Sequence, residues 1–192
     1  MRLIALPDAL ADKLRELVER GTTPEELIIE ALGGLNPHEK AEAYWEIAEH
    51  YLKRAEEELS KGDLREASEK VWSAAALAVK ASAYEREGRR LTSHGELWAY
   101  VAKLKKEEPV LGGLWRTAIS MHVNFYEGWA PEEEVGEALS KVRELVERLR
   151  AISAREGSCG GPGNPTREKA GAHREAGEKA VSRVKRMGRT GG

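Results

Sequence analysis

The chain has 192 residues, of which 41% are hydrophobic and 33% are charged, a composition that supports one hydrophobic core of ordinary size. The formal charge of -2 hides an asymmetry, because residues 155–192 carry nine Lys or Arg against four Asp or Glu, which leaves residues 1–154 at -7. Such an acidic body argues against a protein that wraps nucleic acid over its whole surface. The lone Cys159 excludes an internal disulfide, and no apolar run approaches membrane-spanning length. We therefore expect a cytoplasmic protein without membrane contact.

Residues 1–35 are predicted to form one strand followed by two helices. The apolar run at residues 2–6 predicts the strand, and helical patterns follow it. Thr23 is the expected N-cap of the second helix, with Pro24 at the first helical position and Glu26 completing a capping box. This order is similar to a ribbon-helix-helix unit, which buries little surface alone. We therefore predict that residues 1–35 are a dimerisation segment and that the protein is a homodimer.

Residues 36–154 are predicted to form an antiparallel bundle of about five helices, so the expected fold class is all-α. Apolar side chains recur through this region at the spacing of amphipathic helices, and short linkers separate the segments. Capping residues and glycines mark most of the helix ends. The first predicted helix spans residues 38–61, and the second begins at Asp63. The third begins at Ser93, where Glu96 completes a second capping box. The fourth runs from near Gly113 to Gly128, and the fifth spans residues 131–152.

Residues 155–192 differ in composition from the rest of the chain. Residues 157–165 are rich in Gly and Pro, which is typical of a flexible linker, and the remainder is basic with few sizeable apolar side chains. So little apolar surface cannot offset the entropy that ordering the segment would cost. We therefore predict a Gly-rich linker and a basic disordered tail that is dispensable for folding.

Three segments of the chain resemble the archaeal PaREP family, whose helical core is similar to HEPN domains. They are Glu58–Ala76, Ser93–Trp98 and Met121–Trp129, and the resemblance extends over about residues 38–150. It implies an all-α, HEPN-like bundle that assembles as a homodimer. It also implies a link to HEPN ribonucleases or to the helical partners of small nucleotidyltransferases.

The same resemblance assigns catalytic roles to Arg116 and His122. HEPN ribonucleases carry an arginine, roughly four to six further residues and then a histidine, and this pair has that spacing. A histidine moves protons near neutral pH, and a guanidinium holds a phosphate through two parallel hydrogen bonds. The chain departs from the family pattern after the arginine, where Asn, Asp or His is common and Thr stands here. The predicted supporting or phosphate-binding residues are Thr117, Ser120, Asn124, Tyr126 and His94.

Regular helix geometry supports a different interpretation of this pair. Six positions along a helix rotate a side chain by about 240° and advance it by about 9 Å, so Arg116 and His122 lie on different faces. His122 would then pack among aromatic side chains as a core histidine, and Arg116 would be solvated. A distorted first turn, or a second subunit across a two-fold axis, would bring the two groups together.

Three functions remain open from the sequence. The first is a dimeric, metal-independent endoribonuclease in which His122 transfers protons and Arg116 stabilises the charged transition state. The second is a non-catalytic module that binds a nucleotide or a protein, as half of a toxin-antitoxin-like pair or as a nucleotidyltransferase partner. The third is a DNA-binding regulator. It is the weakest of the three, because Arg2 is the sole polar side chain that the predicted strand offers for reading bases.

No metal site and no cofactor are predicted. His38 and His50 have no Cys or nearby His at ligand spacing, and the chain has no Gly-rich phosphate loop after a strand and no nucleophile motif. His94 follows the cap Ser93, at a position where backbone N–H groups favour anions. Packing of the His94 ring on Trp98, one turn further along the helix, is the simpler interpretation.

Overall fold

The structure is a computed structural model, and it describes residues 7–18 and 23–157. Throughout that part of the chain the regular secondary structure is helical, which confirms the predicted all-α class. The predicted strand at residues 2–6 and the tail beyond residue 157 lie outside the described residues. The helices are α1 (Asp8–Val18), α2 (Pro24–Ala31), α3 (Pro37–Ser60), α4 (Leu64–Glu87), α5 (His94–Leu104), α6 (Leu111–Glu127) and α7 (Glu132–Gly157).

The predicted capping residues begin and end the helices of the bundle. The side chain of Asp63 accepts a hydrogen bond of 3.1 Å from the Glu66 amide at the start of α4. Ser93 and Glu96 form the predicted reciprocal capping box at the start of α5. Gly128 ends α6 in the left-handed conformation, with a φ of 67°, which a residue without a Cβ adopts at no steric cost. Local chemistry therefore determines these boundaries.

Two helices extend beyond their predicted ends. Helix α6 begins at Leu111, ahead of the predicted start at Gly113. Helix α7 runs to Gly157, past the predicted end at residue 152. The side chains of Ile152 and Ser153 are buried, so packing against the core sustains α7 beyond the point where its sequence pattern weakens.

Helix α4 is the central helix of the bundle, and it packs on α3, α5, α6 and α7. Its alanines form the smooth face that the sequence predicts, which lets neighbouring helices approach closely. Every residue from 71 to 84 is buried. A polar side chain in this stretch must therefore find its partner inside the protein or in a cavity.

Two ion pairs and one hydrogen bond show the directions in which the long helices run. Glu49 pairs with Arg150 and Glu56 with Arg143, so α3 and α7 run antiparallel. Helices α3 and α4, joined by a short turn, are also antiparallel, because the start of α3 meets the end of α4, where Trp45 donates to Glu85 over 2.9 Å. It follows that α4 and α7, which are neighbours but not consecutive, run parallel.

Large apolar side chains of the predicted dimerisation segment lie on the surface of the described chain. Leu10, Ile28 and Leu32 are 48%, 49% and 52% exposed. Their exposure is what a dimer contact requires, and the homodimer stays a prediction. Within residues 7–18 and 23–157, no helix combines the length and the apolar character that crossing a bilayer requires.

Candidate functional site

A cavity of about 590 Å³ opens between α2, α4 and α6, next to the first residue of α5. Its walls combine aromatic rings with titratable side chains, an arrangement common in ligand-binding sites. The lining side chains include Glu26, Glu69, Trp72, Lys80, His94 and His122.

His122 lies in this cavity with its ring held on three sides. Its Nδ1 atom is 3.3 Å from a carboxylate oxygen of Glu69 on α4. The imidazole centroid lies 4.9 Å from the Trp72 ring and 5.4 Å from the ring of Tyr126, which it meets edge to face. Because Nδ1 is occupied by Glu69, Nε2 is the ring nitrogen available to a ligand. Burial lowers the pKa of His122, so the ring is neutral near pH 7.

The carboxyl group of Glu69 is poised to hold a proton at neutral pH. Burial raises the pKa of Glu69 from 4.5 to about 7, with the neighbouring Lys70 lowering it and Glu66 raising it by smaller amounts. A protonated Glu69 is therefore accessible near pH 7, next to the neutral imidazole of His122. A hydrogen bond between such a pair can pass a proton from the carboxyl to the ring.

His94 brings a second imidazole to the same cavity. Its ring stacks on Trp72, with centroids 5.4 Å apart and planes inclined by 27°, and its centroid lies 5.4 Å from that of His122. Burial lowers the pKa of His94, and repulsion from the Lys80 ammonium, and from His122 when that ring is protonated, lowers it further. The sequence predicts packing of this ring on Trp98, but in the structure it stacks on Trp72, because the start of α5 faces α4.

A buried ion pair forms another part of the cavity wall. The Nζ atom of Lys80 lies 2.6 Å and 2.7 Å from the two carboxylate oxygens of Glu26, which belongs to α2. The predicted capping box at the start of α2 is therefore confirmed for Thr23 and wrong for Glu26. Thr23 does cap α2 by accepting from the Glu26 amide at 3.2 Å, but the Glu26 side chain turns inward to Lys80 instead of returning to the cap.

Arg116 lies away from this cavity in the single chain. Helix α6 is continuous from Leu111 to Glu127, so the guanidinium projects from a different face than His122. Arg116 is exposed, whereas His122 is partly buried. The predicted catalytic role of Arg116 is therefore untested by the arrangement within one chain.

The predicted supporting residues occupy different environments. The hydroxyls of Thr117 and Ser120 donate to backbone carbonyls of α6 at 3.4 Å and 2.7 Å. Asn124 is fully buried; it donates to Ser68 at 2.8 Å and accepts from the Ala130 amide at 2.7 Å, which ties the end of α6 to α4 and to the start of α7. Tyr126 lines the cavity beside His122. Phosphate binding by these residues stays a prediction.

Sequence reasoning did not identify Glu69 and Lys80 as site residues, although a signal was present. Glu69, Trp72 and Lys80 are spaced along α4 so that they share one stripe of the helix. Lys80 is the one charged residue between positions 71 and 84 of α4, a stretch otherwise made of alanine, serine and apolar residues, and such a position indicates an internal polar surface. Glu69 lies on the same stripe of the helix, about three turns earlier.

One further group of described side chains has the spacing of a metal site. The ligand atoms of His38, Glu42 and Glu85 lie within 4.8 Å of one another, and the first two residues are exposed. This group was not predicted from the sequence, because Glu85 belongs to α4 and comes close to His38 and Glu42 only in the folded chain. Glu85 already accepts from Trp45, and exposed acidic groups often lie this close without a metal ion.

Comparison with known proteins places this geometry in a family. Residues 43–146 match the archaeal PaREP1/PaREP8 family, which is more than half of the chain, and the protein belongs to that family. A crystal structure of a protein from Sulfolobus solfataricus is similar, with 33% sequence identity and a TM-score of 0.50 over 56% of this chain and 95% of that chain. No curated protein matches this chain. The matched range contains Glu69, His94 and His122, whereas Glu26 precedes it.

Proposed function

We propose that this protein is a metal-independent endoribonuclease built on a HEPN-like bundle, with the cavity of His94 and His122 as its active site. The observation that carries the proposal is the pair of imidazoles with centroids 5.4 Å apart, one of them bonded to a carboxyl group whose pKa is about 7. RNA cleavage by the internal 2′-hydroxyl needs one group that accepts a proton and one that donates a proton. The three side chains supply both.

The proton transfers are assigned as follows. His94 accepts the proton of the 2′-hydroxyl, whose oxygen attacks the adjacent phosphorus. His122 donates its Nε2 proton to the departing 5′-oxygen, and its Nδ1 accepts the proton of Glu69 as this happens. The products are a 2′,3′-cyclic phosphate and a 5′-hydroxyl end. Because Glu69 must be protonated, cutting is expected to fall as the pH rises above about 7.

The aromatic walls of the cavity suit a nucleobase next to the cleaved bond. Trp72 and Tyr126 present rings beside the imidazoles, and Tyr126 is 66% exposed and therefore open to a stacking partner. Stacking on aromatic side chains binds single-stranded RNA with little dependence on sequence. We therefore expect unpaired RNA to be the substrate.

The proposal is tested by measuring cleavage of single-stranded RNA in the presence of EDTA. His122→Gln keeps the volume and a hydrogen-bonding group but removes the titratable ring, and His94→Gln does the same at the second imidazole. Each is expected to slow cutting by about 100-fold or more. The matched control is His50→Gln, an exposed histidine on α3, which should leave cutting unchanged. Full activity of His122→Gln, or no cutting by the wild type, would contradict the proposal.

The role of Arg116 in this proposal belongs to a homodimer. A second copy related by a two-fold axis would bring its exposed Arg116 to the His122 of the first. Mixing inactive Arg116→Gln subunits with inactive His122→Gln subunits tests this arrangement, because a mixed dimer then contains one intact site. We expect the mixture to regain about a quarter of wild-type activity if subunits exchange freely. Inactivity of the mixture would place both residues within one chain or outside the reaction.

The charge balance of the cavity favours one second candidate, a non-catalytic module that binds a neutral aromatic ligand. Lys80 is paired with Glu26, and Lys70 lies 2.9 Å from Glu66. Both lysines of the wall are thus neutralised, which weakens attraction for a free anion. A nucleoside that binds to the wild type and to His122→Gln equally well, without any cutting of RNA, would support this candidate.

A further inference from the structure

We propose that Lys80 is the phosphate-binding residue of the cavity and that Glu26, carried by α2, occupies it as a carboxylate mimic of the substrate. The inference rests on the proposed function, since it names the group that binds the substrate's charge at the same site. In the structure Glu26 is paired with Lys80, so the phosphate site is closed. An RNA phosphate can bind Lys80 only after Glu26 has moved away.

The geometry of the ion pair resembles a bound anion. Both carboxylate oxygens of Glu26 lie within hydrogen-bond distance of the Lys80 ammonium, at 2.6 Å and 2.7 Å. The two side chains are 4% and 11% exposed, so their pairing is sheltered from water. Lys80 lines the same cavity as the two histidines, and its charge lowers the pKa of His94. The Lys80 ammonium therefore faces the same cavity as the two imidazoles, where a bound phosphate would find both.

Helix α2 is attached to the bundle mainly through carboxylates. Among residues 24–31, Ile29 is the one apolar side chain that is buried, while Ile28 is half exposed. Glu25 accepts from Tyr51 at 3.1 Å, and Glu30 accepts from Tyr44 and Tyr84 at 3.0 Å and 2.6 Å. Hydrogen bonds and ion pairs can be exchanged for contacts with water or with an anion, whereas buried apolar surface cannot. The helix is therefore suited to leave the cavity and return.

The division of the chain agrees with this arrangement. The imidazoles, Glu69 and Lys80 all lie within residues 43–146, the range that matches the family. Glu26 and the rest of α2 precede that range. The catalytic groups and the group that closes the site thus come from separate parts of the chain, which is the arrangement expected of an inhibitory segment added to a catalytic bundle.

The test is calorimetric binding of inorganic phosphate to the full-length protein. Glu26→Gln removes the competing charge with little change in volume, and we expect it to bind phosphate about tenfold or more tightly than the wild type. Glu25→Gln is the matched control, because it removes a charge from the same helix without touching Lys80, and its affinity should stay within about threefold of the wild type. Adding Lys80→Met to Glu26→Gln should abolish the gain. A gain that survives Lys80→Met, or no gain in Glu26→Gln, overturns the inference.

A second measurement uses the wild type and does not depend on how the variants fold. Saturating phosphate should speed hydrogen exchange at the amides of α2, because the anion displaces Glu26 and releases the helix. Unchanged or slower exchange in α2 overturns the inference. The RNA assay separates the two proposals: phosphate binding through Lys80 without any cutting leaves the anion site standing and removes the ribonuclease. If RNA is cut but Glu26→Gln does not change the affinity for phosphate, the ribonuclease stands and the anion site at Lys80 is removed.

Discussion

Lys80 and Ser82 are both buried on α4, yet they belong to two different kinds of interior. Two helical positions turn a side chain by about 200°, so the residues face opposite sides of the helix. Ser82 faces α5 and α7, where its hydroxyl lies 3.2 Å from the Tyr100 hydroxyl and 2.9 Å from that of Ser153. Lys80 faces α2 and the cavity, where its positive charge is balanced by the carboxylate of Glu26.

The Ser82 side and the Lys80 side of α4 therefore contribute differently to the protein. The Ser82 side is a neutral, hydrogen-bonded part of the core, and its role ends with holding three helices together. The Lys80 side keeps two opposite charges out of water, which contributes little net stability compared with apolar side chains of the same size. A pair of this kind in a cavity beside two imidazoles is better explained by the proposed phosphate site than by its contribution to stability.

The largest expected effect comes from breaking the charged pair on one side only. Lys80→Met leaves the Glu26 carboxylate without a partner and is expected to lower the free energy of unfolding by up to about 3–5 kcal/mol, the upper value applying when α2 stays packed and Glu26 stays buried. Lys70→Met, which removes the lysine of a partly exposed pair with Glu66 on the same helix, should cost less than about 1 kcal/mol. Urea denaturation of both variants makes the comparison.

The combined variant sharpens this prediction. Glu26→Gln together with Lys80→Met removes both charges and should recover most of the lost stability. If the double variant is as unstable as Lys80→Met alone, the lysine stabilises the fold by packing and not by its charge.

A somewhat smaller effect is expected at Glu69, and it depends on pH. The folded chain raises the pKa of Glu69 from 4.5 to about 7, so the folded protein binds this proton more tightly than the unfolded chain does. Stability from this group is therefore lost as the pH rises from 4.5 to 7. Glu69→Gln should be more stable than the wild type by about 2–3 kcal/mol at pH 8 and equal to it at pH 4.

Comparison of the two proteins across pH separates Glu69 from the histidines. Burial lowers the pKa of His94 and of His122, so both rings favour stability that increases as the pH rises towards 6.5. That contribution is present in wild type and variant alike, and the difference between their unfolding free energies isolates the carboxyl group. A difference that is constant from pH 4 to pH 8 would show that folding does not shift the pKa of Glu69.

The smallest effect is expected in the neutral network on the other side of α4. Ser82→Ala removes the hydroxyl that joins Tyr100 and Ser153 and should lower the free energy of unfolding by about 1–2 kcal/mol at every pH. Ser140→Ala is the control, because its exposed hydroxyl bonds only to the Gly136 carbonyl of its own helix. A pH-dependent loss in Ser82→Ala would mean that this side of α4 is coupled to the cavity.

Much of the architecture follows from short stretches of sequence. The Ser93 and Glu96 capping box and the caps at Thr23 and Asp63 were predicted and are present, because a cap depends on residues within one turn. The alanine-rich face of α4 predicted a central helix for a similar reason, since small side chains leave room for neighbours on several sides. The Glu26 side chain was assigned wrongly because its partner, Lys80, is 54 residues away in the sequence.

The candidate site shows where sequence reasoning stops. Arg116 and His122 were paired because of their spacing, yet the regularity of α6 separates them within one chain. His94, assigned only a supporting role, comes to stack on Trp72 and to face His122 because α5 begins beside that part of α4 and then runs along it, with Tyr100 next to Ser82. Neither contact follows from distance along the chain.

The sequence by itself determined the all-α class, the order of the helices, most of their ends and the family. Each of these depends on patterns within a few turns of one helix or on likeness to other chains. Only the tertiary structure brought Glu69, His94 and His122 into one cavity and turned Glu26 onto Lys80. The physical reason is that these groups come from four helices, and the burial that raises the pKa of Glu69 and forces Lys80 to take a partner exists only when those helices pack together.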